Sequence, residues 1–373
     1  MNAKVAITRC TGYEPDLVLR KLNETLDLLG GVTNFIKPGS RVLVKPNLLM
    51  AKEPEFGIDT HPEVVRAMIK VLKGIGCYVI VGDGPSVWGN QVENVEEVYR
   101  RSGVEKVCAE EGAELVKFDK KRFRAEFPMT TWLDQCDYLV NIPKFKTHEF
   151  TLLTGAIKNL FGLVWGTFKT ELHKNYFKPE NFAKILVDVY QEAKPALTVV
   201  DGIIAMEGDG PASGGKLREL NLMLAGADCV AIDSVMAVIM GVAPRSVLTT
   251  KEAAARGLGE ADISKIEILG ESIESASDEP FILPQSSIVK KLPQPIFDIA
   301  KNLIKYYPYV RHENCVKCSA CIDACPKKVI SFNKNKRIAF DYSGCIACFC
   351  CEEACPASAI KVKKSLLAKL IGL

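Results

Sequence analysis

Short apolar runs separated by helix-length amphipathic stretches set the rhythm of residues 1–275. Arg41-Val42-Leu43-Val44-Lys45 is followed by a helical pattern over 62–74 and then by Tyr78-Val79-Ile80-Val81-Gly82. Tyr138-Leu139-Val140-Asn141-Ile142 and Leu197-Thr198-Val199-Val200-Asp201 are further strand candidates, each with helix-like sequence after it. This alternation predicts an α/β fold: a large Rossmann-like domain with a mainly parallel sheet. Ligands of such sheets bind outside the carboxyl ends of the strands.

The rhythm breaks at 276–310, where Pro280, Pro284, Pro293, Pro295 and Pro308 fall close together. A linker with one amphipathic packing helix over 296–307 is expected there. Its Phe297, Leu303, Ile304 and Tyr307 would hold the C-terminal module against the large domain. Residues 311–362 then form a small separate α+β domain, and 363–373 a basic amphipathic tail.

Within that small domain one phrase occurs twice. Cys315-x2-Cys318-x2-Cys321-x3-Cys325-Pro326 returns 30 residues later as Cys345-x2-Cys348-x2-Cys351-x3-Cys355-Pro356. This is the bacterial spacing for a pair of [4Fe-4S] clusters, in which the fourth cysteine of each run ligates the other cluster. Cys315, Cys318, Cys321 and Cys355 are therefore assigned to one cluster, and Cys345, Cys348, Cys351 and Cys325 to the other, leaving Cys350 over. Zinc sites usually show well-separated CxxC pairs instead. Eight crowded cysteines in a chain without a signal peptide also argue against an oxidised disulfide framework. Residues 311–362 resemble a bacterial two-cluster ferredoxin, a module that passes single electrons.

Charge changes meaning in this light. From residue 311 onward, 11 Lys and Arg stand against 5 acids, a formal +6 in a chain whose total is +3. Each all-thiolate cubane brings roughly −2, so the excess reads as compensation for cluster charge, not as a nucleic-acid surface. The N-terminus enters strand-like Val5-Ala6-Ile7 without an apolar leader, and the apolar stretch 222–244 contains Asp228 and Asp233. No transmembrane segment is expected. A cytoplasmic, low-oxygen setting follows, with membrane-surface contact by the tail as the lesser alternative to a helix docked on the protein itself.

Polar residues gather where the strands end. Lys45, Asn47, Asp83 and the segment from Lys144 through Lys146 to His148 are followed by Lys158 and Asn159. An extended 143–148 projects Lys144, Lys146 and His148 from one face. Converging cations suit an anionic small molecule such as a phosphate or carboxylate. Gly82-Asp83-Gly84-Pro85 and Gly208-Asp209-Gly210-Pro211 make tight turns that let a ligand approach the backbone, with Asp83 or Asp209 binding a hydroxyl or a cation. Gly210-x4-Gly215-Lys216 lacks the Ser or Thr of a phosphate loop, and no dinucleotide fingerprint is present. Cys10, Cys77, Cys108, Cys136 and Cys229 read as small core residues. His61, at a helix start, either caps that helix or touches a ligand.

Lys45-Pro46-Asn47-Leu48, Gly82-Asp83-Gly84, Ile142-Pro143-Lys144 through His148, Thr154-Gly155-Ala156-Ile157-Lys158-Asn159 and Met206-Glu207-Gly208-Asp209-Gly210-Pro211 together resemble the domain-of-unknown-function 362 family. Members often carry a C-terminal two-cluster ferredoxin module, and the family has no general reaction. His148 and Lys158 also look like the His and Lys pairing of the nickel-pincer lactate racemase family, where the lysine tethers the cofactor and a histidine moves protons. The chain departs from that family in its ferredoxin module and in having only His61, His148, His173 and His312.

The expectation is an iron-sulfur oxidoreductase relaying electrons from a redox partner protein or small-molecule donor to an anionic substrate or organic cofactor, a flavin or nucleotide, in the α/β cleft. His148 would donate protons. Lys158 would act with it in catalysis, while Lys45, Lys144, Lys146, Asn47 and Asn159 would bind the ligand. The alternatives are a non-catalytic electron-transfer subunit docking a partner enzyme and a redox-neutral proton-transfer enzyme.

Overall fold

The computed structural model describes residues 3–85, 95–166, 168–176, 178–212, 214–276, 279–284 and 306–364. In the large domain the strands are β1 (Ala3–Arg9), β2 (Arg41–Pro46), β3 (Tyr78–Val81), β4 (Glu114–Leu115), β5 (Lys121–Arg124), β6 (Phe127–Thr130), β7 (Tyr138–Ile142), β8 (Lys144–His148), β9 (Leu152–Thr154), β10 (Leu197–Gly208), β11 (Gly215–Gly226) and β12 (Ile266–Gly270). Among the described residues all but the β5–β6 hairpin join one ten-stranded sheet, ordered β12-β1-β11-β10-β7-β2-β3-β4, with β8 beside β10 and β9 beside β8. The run β10-β7-β2-β3-β4 is parallel throughout. From β2 the chain first builds outward through β3 and β4, then returns to lay β7 on the other side. The strand order thus reverses between β2 and β7, where such sheets open a crevice.

Alternation along each strand feeds two apolar layers. Val42, Val44, Val79, Val81, Val140 and Ile142 pack on one face with α1 (Pro15–Leu28) and α2 (Pro62–Gly74). Leu43, Ile80, Leu139 and Val200 face the other, under the helices Pro179–Ala193 and Cys229–Ile239. Side chains of period two on a sheet covered on both sides produce this division, and explain why the strands read as continuous apolar runs. A fully buried aliphatic side chain contributes about 1.5–3 kcal/mol.

The small domain pairs β13 (Tyr306–Val310) antiparallel with β16 (Ile360–Lys364), and β14 (Ile330–Phe332) with β15 (Ile338–Phe340). The expected packing helix over 296–307 lies largely outside the described residues, but Tyr306 and Tyr307 are strand, not helix. They pair with Lys364 and Lys363, a register the linker reading missed. This pairing also puts Lys363 and Lys364 of the expected tail in the sheet. Residues 365–373 lie outside the described residues.

Candidate functional site

The duplication seen in sequence is also a duplication of backbone. Lys317 and Ala347, Ser319 and Phe349, and Lys328 and Ser358 all have positive φ, at 57° and 52°, 67° and 60°, and 54° and 49°. Each pair is displaced by the 30 residues that separate the cysteine runs. Left-handed residues are costly for side chains other than glycine, so their recurrence marks a loop shape held for a purpose. The sulfur contacts repeat too. Val329 N–H donates to Cys325 Sγ at 3.4 Å and Ala359 N–H to Cys355 Sγ at 3.2 Å.

These loops wrap two cavities. One is lined by Cys315, Cys318, Cys321 and Cys355 with Val310, Ile338 and Ile360. The other is lined by Cys325, Cys345, Cys348 and Cys351 with Pro308, Ile330 and Phe340. Each quartet takes three cysteines from one run and the fourth from the other. Among the described residues no three His, Cys, Asp or Glu side chains converge as ligands of a single metal ion. Four sulfurs lining one cavity without converging on a single point suit a cluster better than one tetrahedral ion. Burial pushes the Cys321 thiol up to about 12, and burial with neighbouring Cys348, Cys321, Cys325 and Cys345 pushes Cys351 well above its ordinary range. A cationic metal core supplies the charge that such crowded thiolates need.

In the large domain the carboxyl ends of β2, β3 and β7 meet in a buried polar network. Lys45 Nζ lies 2.7 Å from Asp83 Oδ1 and donates to the Pro46 carbonyl at 3.0 Å and Asn159 Oδ1 at 3.2 Å. Asp83 Oδ2 accepts from Leu48 N–H at 2.8 Å. Asn159 Nδ2 donates to Asn141 Oδ1 at 2.8 Å, and Asn141 Nδ2 to the Ala156 carbonyl at 2.9 Å. Burial lowers the Lys45 pKa and Asp83 opposes that shift. Gly162 closes the floor, since a β-carbon there would strike Asp83 Oδ1 and Lys45 Nζ.

A second pair lies one strand over. Lys144 Nζ donates to Asp201 Oδ2 and to the Tyr13 hydroxyl, both at 2.8 Å, and Tyr13 donates to Asp201 Oδ1 at 2.8 Å. Asp201 also accepts the His61 N–H at 2.9 Å. The His61 ring stacks on Tyr13 at 3.5 Å, and its Nδ1 accepts from Glu63 N–H at 3.2 Å, so of its two expected roles capping is the one the structure displays. Burial takes His61 down to about 4, which keeps it neutral at pH 7. Lys146 Nζ donates to the Ile58 carbonyl at 2.6 Å.

His148 ends β8, fully buried, with Nδ1 accepting from Phe150 N–H at 3.0 Å. That bond leaves the proton of the neutral ring on Nε2. Lys158 is half-buried in the short helix Ala156–Asn159, whose first N–H groups are held by Asp233 at 2.6 and 3.2 Å. Burial raises Asp233 to about 7 against the opposing pull of those N–H groups.

The structure corrects two expectations. Lys45 and Lys144 each already face a buried carboxylate, so the strand-end lysines do not form one convergent cationic mouth; Asp83 serves as the counter-ion of Lys45. The Gly-Asp-Gly-Pro turns are approached by the protein's own backbone: a β-carbon on Gly84 would meet the Gly162 carbonyl, and one on Gly210 the Thr147 carbonyl. Asp209 sits half-exposed in the hairpin turn between β10 and β11. Sequence reasoning missed Tyr13, Asp201 as a partner of Lys144, and Lys169. Lys169 donates to the Gly84 carbonyl, and burial lowers it to about 8 despite the nearby Asp83. Only Asp201 carried a signal, as the polar end of a strand.

The model of the family described as Domain of unknown function (DUF362) matches residues 42–238, which include both lysine–aspartate pairs and His148. The chain belongs to the DUF362 family. A 4Fe-4S dicluster domain matches residues 314–359, the whole cysteine repeat, so this DUF362 chain carries a ferredoxin-type iron-sulfur module. It is also 33% identical over 256 residues to a thylakoid-associated protein of Synechocystis sp., covering 67% of this chain and 78% of that one. Among the described residues no helix is long and apolar enough to cross a membrane.

Proposed function

We propose that the chain is an iron-sulfur oxidoreductase holding two [4Fe-4S] clusters, one on Cys315, Cys318, Cys321 and Cys355 and the other on Cys345, Cys348, Cys351 and Cys325. The clusters supply one-electron transfer. The observation that carries this reading is the pair of cavities, each lined by four cysteines in the crossed three-plus-one arrangement. The electrons come from a redox partner protein or a small-molecule donor and serve a small anionic substrate or an organic cofactor, flavin or nucleotide, in the crevice at the ends of β2 and β7. Asn47, directly after β2, favours a ligand there, because its buried Oδ1 lacks a hydrogen-bond partner among the described residues. His148, with Nδ1 held by the Phe150 N–H, presents Nε2–H as a hydrogen-bond donor to the ligand, while Lys146, Lys158, Asn159 and Asp209 position the ligand around the fixed Lys45–Asp83 and Lys144–Asp201 pairs. A cytoplasmic protein meeting a membrane surface is consistent with the thylakoid association in the relative's name.

The neutralisation of Lys45 and Lys144 favours a second reading, in which the large domain docks a partner enzyme without binding a small molecule. Native mass spectrometry of protein purified without oxygen separates the two. Two cubanes plus a further small-molecule mass, lost in His148→Ala and Lys158→Ala, is the expected result. Two cubanes alone, with both variants unchanged in electron delivery to the physiological acceptor, would overturn the cleft assignment.

A further inference from the structure

The iron-sulfur module touches the large domain through its second cysteine run, while its most exposed cysteine lies in the first. Lys52 Nζ reaches the Pro356 carbonyl at 3.4 Å, and the Glu352 carboxylate lies against Gly214, where a β-carbon would stand 2.7 Å from Oε1. These module contacts come from the second cysteine run and its immediate continuation. The first half of the first run faces outward. Of the eight repeat cysteines Cys318 alone is exposed, and Val316 beside it is 66% exposed.

The same rim is basic. Lys317 lines the cavity of Cys318, and Arg337 directly precedes Ile338, which lines its wall. Arg337 closes the β14–β15 turn, which also carries Lys334 and Lys336, all three exposed, after the 41%-exposed Phe332. Among the described residues the exposed carboxylates of the module are Glu313 and Asp341. Cluster charge does not erase the excess. Residues from 311 onward carry a formal +6, and two oxidised cubanes at roughly −2 each leave about +2. Exposed apolar side chains within a charged ring have the make-up of a transient docking surface.

We propose that this basic rim around Cys318 is the docking face for an acidic one-electron carrier protein, which delivers electrons through the cavity of Cys315, Cys318, Cys321 and Cys355. The proposal rests on the electron-transfer reading above. In the step one electron passes from the reduced carrier to the oxidised cluster; the carrier is oxidised by one electron, and no bond or proton is exchanged. An acidic carrier gains both steering and orientation from the rim, and that gain is lost in salt.

The test uses the anaerobically purified holoprotein, with a reduced flavodoxin as the acidic carrier and reduced methyl viologen as a small cationic donor. Bleaching of the cluster absorbance is followed by stopped flow, and carrier binding by fluorescence anisotropy. With flavodoxin the rate is expected to fall about tenfold or more between about 20 and about 300 mM salt. The triple variant Lys334→Glu, Lys336→Glu, Arg337→Glu should be slower at low salt by about the same factor and bind the carrier more weakly. Its turn is held by main-chain bonds and by Asn333 Oδ1, not by the replaced side chains. Methyl viologen should reduce wild type and variant alike, at equal iron content. An unchanged flavodoxin rate and affinity in the variant would overturn the docking face. A variant that loses binding to phosphatidylglycerol vesicles yet accepts electrons from flavodoxin normally would also overturn it, in favour of a membrane patch. Failure of methyl viologen to bleach even the wild type would instead overturn the electron-transfer reading itself.

Discussion

The large domain buries Lys45, Lys144, Asp83 and Asp201 against one another between two apolar layers, whereas the cysteine module surrounds two cavities and has few buried aliphatic side chains. In the first region folding comes from apolar area, and buried charges are tolerated because each has a partner. In the second, Ile330, Ile338, Ile360 and Ala359 form a core too small to hold a domain of about fifty residues, and metal coordination has to supply the rest. The difference teaches where each region is vulnerable: the large domain to loss of a charge partner, the module to loss of iron.

Iron removal should produce the largest effect. Chelation under anaerobic, reducing conditions is expected to unfold residues 306–364 while the large domain keeps its cooperative melt. Hydrogen exchange mass spectrometry would show protection lost in the module and retained in β2, β7 and β10. Co-melting of both regions would break the comparison.

Next comes the charge pair. Asp83→Asn leaves Lys45 buried without its counter-ion and should cost about 3–5 kcal/mol, whereas Lys45→Met combined with Asp83→Leu should cost much less. Denaturant melts of the two variants check this, and equal losses would show that the pair does more than neutralise charge.

The smallest effect concerns pH. Asp233 has a folded pKa near 7, raised by burial from its ordinary carboxylate value. Its contribution is therefore fully present below about pH 4 and is lost as pH rises through about 7. Between pH 6 and 7 the large domain should lose about 1 kcal/mol from this group, and Asp233→Asn should flatten that slope. An unchanged slope in the variant would place the titration elsewhere.

Much of the architecture was legible along the chain. The runs at β2, β3 and β7 match their strands closely, because a strand buried on both faces needs an unbroken apolar run. β10 was read too short: it continues to Gly208 through a bulge between Gly202 and Ile204, where it pairs with β11. Bulge and pairing are tertiary matters that no local pattern announces. Lys144 and His148 were legible as polar residues at strand ends, but not the partner of Lys144. Tyr13 and Asp201 lie 188 positions apart and meet only because β10 passes beside the loop after β1. Lys169 had no signal at all, being one lysine in a polar helix.

Local spacing in the sequence determined the iron-sulfur chemistry, since a cluster demands several thiolates at short fixed intervals and the CxxCxxCxxxCP runs supply them. Strand and helix periodicity determined the α/β class. Only the tertiary structure decided which lysines carry a counter-ion, which glycines admit backbone instead of ligand, and which cysteine edge faces solvent. Those outcomes depend on what distant segments bring within a few ångströms, and burial makes such encounters energetically decisive.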